Sequence, residues 1–395
     1  MMKTLKDILQ KLFLVTCSIL LALVLLEFGV RALGLYKFPA DKFIKPHPKL
    51  GWSHIPNKEG YWTVGKDRVH VRINSKGLRD REYPYEKGKG TFRILVLGDS
   101  FTEGFQVPQK DTFCKVLERE LNRTQPNRTQ IDFEVINAGF AGVGTDYELL
   151  FFRREGYKYD PDLVIMAFFQ NDVCDNYKSK AILDSKEAPL VYEKKGFIAH
   201  IKKFLAQNSC AYNYIGYSLP AHFPLPAKIL MKIGLISSQP IGDIGGVDHV
   251  HYQVLAQEYG PELEKAWDVT RLLISELKNE TECHGAKLAA ISIPFREQVY
   301  EDLLESYFSG FGTGKREWDV NKPDRILSTF LDDEAIPFLQ LLPDFKKAAE
   351  TTPLYYGLDA DVQDGHWNAN GHYLAGQIIR DWLVINNLVP VDRER

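Results

Sequence analysis

The sequence predicts a three-layer α/β/α fold with a central parallel sheet, preceded by an N-terminal transmembrane helix and a small β-rich connector. Three features predict it. From Phe92 onward, short apolar runs alternate with segments of helical spacing. Those runs are mostly apolar rather than apolar only at every second residue, so both faces of the strands are buried, as in a sheet covered by helices on both sides. The chain also opens with lysines followed by a long apolar stretch, the pattern of a segment that enters a membrane.

Lys3, Lys6 and Lys11 precede the apolar run from Leu12 to Leu26. At about 15 residues this run is short of the roughly 20 that span a bilayer. It continues through Glu27-Phe-Gly-Val-Arg31-Ala-Leu-Gly-Leu35, apolar except for two charges spaced i,i+4 that can pair on one helix face or snorkel. Residues 1–11 therefore read as a cytoplasmic tail and 12–35 as a signal anchor, with the remainder outside the cytoplasm, periplasmic or extracellular. A cleaved signal peptide would open in the same way. No small-x-small cleavage site follows, however; Ala32-Leu-Gly34 is the nearest approach.

Residues 36–90 form the connector, in which Arg68-Val-His-Val-Arg-Ile-Asn74 alternates as a half-buried strand should and Ser75-Lys-Gly77 reads as a turn. The α/β domain occupies 91–390. Its strands are expected at 93–97, 133–136, 163–169, 287–293 and 337–341. Helices are expected at 111–121, with Asp111 as N-cap, after Gly144, at 262–282 and at 373–384. An insertion at about 173–260 interrupts the alternation. Its aromatic and proline-bearing middle, Tyr212 to Ile236, fits either a packed layer over the core or a lid beside an active site.

Composition narrows the functional classes. A net charge of −3 argues against a broad electrostatic grip on nucleic acid. The five cysteines contain no CxxC pair, which excludes a zinc ribbon or thioredoxin-like motif and leaves one disulfide open. No metal or organic cofactor is implied. Ser309 to Arg316 mimics a phosphate-binding loop, but Lys315 is followed by Arg rather than Ser or Thr. His249 and His251 alternate without carboxylates at ligand spacing, and surface histidines are the simpler account. Asn122, Asn127 and Asn279 begin tripeptides of the N-glycosylation pattern, a short motif that chance often supplies.

In parallel α/β sheets ligands bind at the carboxyl ends of the strands. Those ends here carry Gly98-Asp-Ser100-Phe-Thr-Glu-Gly104, Asn137-Ala-Gly-Phe-Ala-Gly142 and Gln170-Asn171-Asp172; Asp364-Gly-His366-Trp-Asn-Ala-Asn-Gly-His372 precedes the last helix. A lone Gly-Asp-Ser is a common turn. Four such blocks in this order resemble the SGNH/GDSL hydrolase family, from Phe92 to the C-terminus apart from the insertion. The leader Ile73 to Asp80 resembles those of exported bacterial members.

The resemblance implies a serine esterase. Ser100 would be the nucleophile, His366 its base and Asp364 the group that orients the imidazole. The oxyanion donors would be the backbone N–H groups of Ser100 and Gly142 and the side-chain amide of Asn171. Many members place the Asp three residues before the His, where this chain has Gln363. The Asp-x-His spacing resembles instead the alginate O-acetylation proteins of the same superfamily, and Asp361 is the alternative to Asp364. Gly139 is a second candidate donor, Asp99 and Asp172 read as turn or sheet-end residues, and His372 as a hydrogen-bonded helix histidine.

The expected partners are an acyl ester, with acylated carbohydrate as one class, and the membrane through the N-terminal helix; nucleic acid is not among them. Hydrolysis of O-acyl esters is the leading function. O-acyl transfer to a cell-surface polysaccharide, with a membrane acyltransferase as partner, shares the same acyl-enzyme. A non-catalytic glycan-binding protein is the reading from a different class.

Overall fold

The computed structural model describes residues 2–33, 43–47, 50–123, 131–176, 201, 204–205, 208–215, 251–303, 318–358 and 364–390. The chain forms two compact units, Met1–Ala40 with Tyr192–Asp243 and Asp41–Val191 with Ile244–Arg395.

In the first unit a single helix, α1 (Met2–Ala32), contains a stretch, Phe13–Ala32, long and apolar enough to cross a membrane. Its apolar side chains, among them Phe13, Leu21, Leu25 and Phe28, are exposed. Glu27 and Arg31 pair along the helix at 2.6 Å. The same carboxylate accepts from Ser209 Oγ at 2.7 Å and from the backbone N–H groups of Cys210 and Ala211, each at 2.9 Å. It thereby supplies acceptors to the orphan donors at the start of a short helical segment, as an N-cap would. Val30 packs on Cys210 and Ala211 beside this contact. Most of the insertion, including the stretch from 216 to 250, lies outside the described residues.

The connector becomes two antiparallel hairpins: β1 (Ile44–His47) with β2 (Gly51–His54), and β3 (Glu59–Val64) with β4 (Asp67–Arg72). The core that follows runs β5 (Thr91–Gly98), α2 (Ser100–Glu103), α3 (Phe113–Arg123), β6 (Asp132–Gly139), α4 (Thr145–Arg154), β7 (Leu163–Phe169) and α5 (Asp172–Asn176). It resumes with α6 (Pro261–Cys283), β8 (Lys287–Ile293), α7 (Arg296–Val299), α8 (Lys322–Asp333), β9 (Phe338–Gln340), α9 (Leu342–Ala349) and α10 (Ala369–Ile385). The five core strands are parallel in the order β6-β5-β7-β8-β9. Helix α3 packs on β6 and α10, while α4 and α5 pack on α6, which lies on β8. Right-handed crossovers running in opposite directions from β5 place these two groups on opposite faces. The sequence-predicted α/β/α class is therefore the fold observed.

Two boundaries differ from expectation. Asp111 does not cap α3; it ends a single 3-10 turn, Gln109–Asp111, and the carbonyl of Thr112 receives the first helical N–H groups from Lys115 and Val116. The N–H of Asp111 donates to the carbonyl of Pro108 at 2.8 Å, which closes this turn before the helix begins. Tyr252, Val254 and Leu255, read from the sequence as the tail of the insertion, are buried in the main core. Helices α8 and α9 went unnoticed in the sequence, although each has a proline in its first turn, a usable start signal. None of the five cysteines forms a disulfide. The Asn122 side chain bonds Glu118 and Phe133, tying α3 to β6.

A buried ion pair fastens the sheet edge. Arg93 on β5 faces Glu134 on β6 in register, donates to it through Nε at 2.8 Å, and also donates to the carbonyl of Tyr85 at 3.0 Å. Removing one partner of such a pair strands the other charge, whereas replacing both with apolar residues is close to neutral. Arg93→Leu is expected to destabilise the domain by about 3–5 kcal/mol, with Arg93→Leu/Glu134→Leu regaining most of the loss. Urea midpoints of the three proteins check this; a double variant no better than the single would refute it.

Candidate active site

Strand β5 lies between β6 and β7, and the connections leaving it and its neighbour run to opposite faces, so its carboxyl end opens into the crevice where such sheets bind ligands. Gly98 ends β5, and α2 turns back over it. A Cβ on Gly98 would stand 2.2 Å from Thr102 Oγ1, and one on Gly139, the residue paired with it on β6, 2.2 Å from the backbone N of Glu103. Glycine at both positions is the condition for α2 to lie this close. Asp99 caps the helix, its Oδ1 accepting from the N–H of Phe101 at 2.9 Å. Ser100 is then the first helical residue, its hydroxyl at the rim.

His366 arrives from the segment before α10. Its Nε2 lies 2.7 Å from Ser100 Oγ, and its Nδ1 lies 2.7 Å from Asp364 Oδ1, which also accepts the His366 backbone N–H at 2.9 Å. A carboxylate can only accept, so Nδ1 carries the hydrogen and the lone pair of Nε2 faces the serine. The next residue, Trp367, is fully buried and packs against Phe101, Phe113 and Phe345. Phe101 also lies against the His366 ring at 4.7 Å. Burial pulls the imidazole down, but the hydrogen bond and charge of Asp364, with the charges of Asp99 and Glu103, outweigh it and leave His366 above its ordinary value. The structure thus unites Ser100, His366 and Asp364. Asp361 and Gln363 lie outside the described residues, as do Ser309 to Arg316 and His249.

The two remaining predicted residues flank the serine on the loops after β6 and β7. Gly142 is exposed, with φ +73°, a conformation that favours glycine, and open space where a side chain would stand. Asn171 donates from its amide to Asp175 at 3.1 Å, four residues on, rather than to Ser100, His366 or Asp364. Gly139 is not a free donor: its N–H is engaged by Asn137 Oδ1 at 2.9 Å. His372 accepts from the N–H of Phe113 at 3.3 Å, and burial holds it down at about 3, so it remains neutral.

Two residues near the serine had no role in the sequence reading. Glu103, at the end of α2, is buried; its Oε1 lies 2.7 Å from Nε2 of His54 on β2 and accepts the N–H of Ala141 at 3.1 Å. Arg79, also buried, donates to the carbonyls of Glu103 and Gly104 at 2.8 and 2.6 Å. The leader around Arg79 was visible as a motif, but its partners are on another element and no local spacing reveals them.

Residues 94–266 match the family model for GDSL-like lipases and acylhydrolases, a span that takes in Ser100, Gly142 and Asn171 and stops before Asp364. That match supports the SGNH/GDSL hydrolase superfamily for this domain. No curated protein matches the chain significantly. Solved structures similar to this chain include a two-domain esterase (CEX) active on acetylated mannans, at 12% identity and TM-score 0.37, covering 77% of this chain and 52% of that one. A catalytic mutant of the acetylxylan esterase Axe2 from Geobacillus stearothermophilus is similar at 11% identity and TM-score 0.40, covering 77% and 97%. TesA is similar at 11% and 0.35, covering 74% and 97%.

Behind the serine of this domain lie three buried acids. Burial raises Asp99 to about 6, and it raises Glu148 and Asp172 well above the carboxylate range, with Asp99 adding its charge to both. Acids held neutral in the folded protein stabilise it below the ordinary carboxyl pKa, and that stability is lost as pH rises through the folded values. Stability measured in urea is therefore expected to fall from about pH 4 upward, beyond the pH 6 at which Asp99 titrates, and Glu148→Gln is expected to flatten the slope above pH 6. An unchanged slope in the variant would contradict the assignment.

Proposed function

We propose that this protein is a membrane-anchored serine esterase that cleaves O-acyl esters outside the cytoplasm through an acyl-Ser100 intermediate. The observation that carries the reading is the unbroken hydrogen-bond chain Ser100–His366–Asp364, with 2.7 Å at each link.

The geometry fits the two half-reactions. Nε2 of His366 takes the Ser100 hydroxyl proton as Oγ attacks the ester carbonyl, and Asp364 steadies the imidazolium that forms. The carbonyl oxygen becomes an oxyanion, for which the N–H groups of Ser100 and Gly142 and the amide of Asn171 are the donors in this scheme. His366 then returns the proton to the leaving alcohol oxygen. Water enters, loses a proton to His366, and attacks the acyl-serine; collapse releases the carboxylic acid and restores the Ser100 hydroxyl. Asn171 has two amide hydrogens, so one can stay on Asp175 while the other meets the oxyanion.

The anchor reading rests on the length and composition of Phe13–Ala32 behind a lysine-bearing start, which puts the lysines in the cytoplasm. An acetyl group on an exported carbohydrate is the substrate class that suits a catalyst so placed. The anchor and the Asp-x-His spacing favour a second reading, in which a sugar hydroxyl replaces water as acceptor and a membrane partner supplies the acyl group.

A fluorophosphonate probe applied to the full-length protein in membranes is expected to label Ser100, located by mass, with no label in Ser100→Ala. In His366→Ala the reaction is expected to slow by at least about 100-fold, because the serine then lacks its base. Labelling elsewhere, or none on a folded sample, refutes the reading. The reaction needs neutral His366, so activity should fall as pH drops through the histidine's raised value. The acid limb of kcat/KM is accordingly expected above about 6.5, the ordinary imidazole value. Asp364→Asn should move that limb down and reduce kcat by on the order of 10³–10⁴-fold. A limb that stays in place would remove Asp364 from its role.

A further inference from the structure

We infer that His54 and Glu103 are positioning residues for the loop that presents the Gly142 N–H, so that the connector before the family-matched region is a working part of the catalytic site. The inference rests on the reading of Gly142 as an oxyanion donor. Gly142 follows Ala141 directly, with open space around it and φ +73°. The adjacent anchor on this loop is the Ala141 N–H, which donates to Glu103 Oε1 at 3.1 Å. Glu103 is three residues from the nucleophile on the same helix, so one carboxylate ties the donor loop to the element that carries Ser100.

His54 fixes that carboxylate. Its Nδ1 lies 2.8 Å from the carbonyl oxygen of Gly77, which can only accept, so Nδ1 bears a hydrogen. One further proton is then shared between Nε2 and Glu103 Oε1 across 2.7 Å, as an imidazolium–carboxylate pair or as a carboxyl donating to the neutral ring. Both side chains are almost completely buried, at 1% and 4% exposure, and the rings of Phe140 and Phe105 lie against the imidazole. A buried contact of this kind has no water to replace it if it is lost. Asp80 supplies a second strut from the connector, accepting the N–H of Asn137 at 2.8 Å, whose amide in turn donates to the carbonyl of Thr102 on α2 at 2.7 Å.

The test uses the full-length protein and p-nitrophenyl acetate, with wild type first shown to label at Ser100. Without that label the functional reading itself fails, before the relay is at issue. Glu103→Ala is expected to lower kcat by about 100-fold, the effect of losing one oxyanion donor, with KM within about threefold and the acid limb of the pH profile moved down at most slightly, because Glu103 is the weakest of the groups that raise His366. Glu103→Gln keeps an acceptor for Ala141 and should stay within about tenfold of wild type by sparing most of that loss. His54→Asn keeps the Gly77 bond but cannot reach Glu103, and should behave as Glu103→Ala; it carries the test if Glu103→Ala does not fold. The double variant should be no worse than either single one, because both break the same contact. A kcat within twofold of wild type in folded Glu103→Ala or His54→Asn, a loss confined to KM, or additive losses in the double variant would overturn the inference.

Discussion

The site depends on how closely α2 lies over the ends of β5 and β6. Side-chain atoms at positions 98 and 139 would stand 2.2 Å from atoms of α2, well inside van der Waals contact. With glycine at both places the short helix sits directly on the strands, and Ser100 is lifted to the sheet's carboxyl edge. The carbonyls at the end of so short a helix have few partners of their own, and Arg79 supplies them from the connector. Phe101, one residue beyond the serine, then becomes the surface on which His366 and Trp367 rest. The hydrogen-bond chain between serine and histidine follows from that seating.

Charge is handled in two ways around this point. Arg93 with Glu134, and His54 with Glu103, are buried pairs whose members answer one another across elements. Glu148 and Asp172 are buried without such an answer among the described residues and hold their protons instead. A proton held near the site removes a negative charge that would oppose the oxyanion of the proposed reaction, although Asp99 titrates low enough to be charged near neutrality. The same logic appears in the first unit, where Glu27 lies within an apolar helix. Its carboxylate is met by a guanidinium, a hydroxyl and two backbone N–H groups, as a charge in such surroundings requires.

The sequence by itself determined the class of fold and the three residues of the hydrogen-bond chain. Strand 163–169 is an uninterrupted apolar run and 287–293 is one broken only by Lys287 and Ser292, and the structure has them at those limits, because a strand buried on both faces needs no information beyond its own residues. Ser100, Asp364 and His366 were legible because each sits in a short block whose neighbours are as constrained as the residue itself. Asp111 misled because it ends the tight turn Gln109–Asp111, and the helix takes its first N–H groups on Thr112 instead. What only the tertiary structure decided is which distant groups meet. Gly139 is a packing residue and not a donor because α2 lies on it. Asn171 faces Asp175, and Glu103 belongs to a relay whose other end, His54, is 49 residues away. A hydrogen bond between elements leaves no periodicity in either one, so such partners emerge only when the sheet and its connector have folded together.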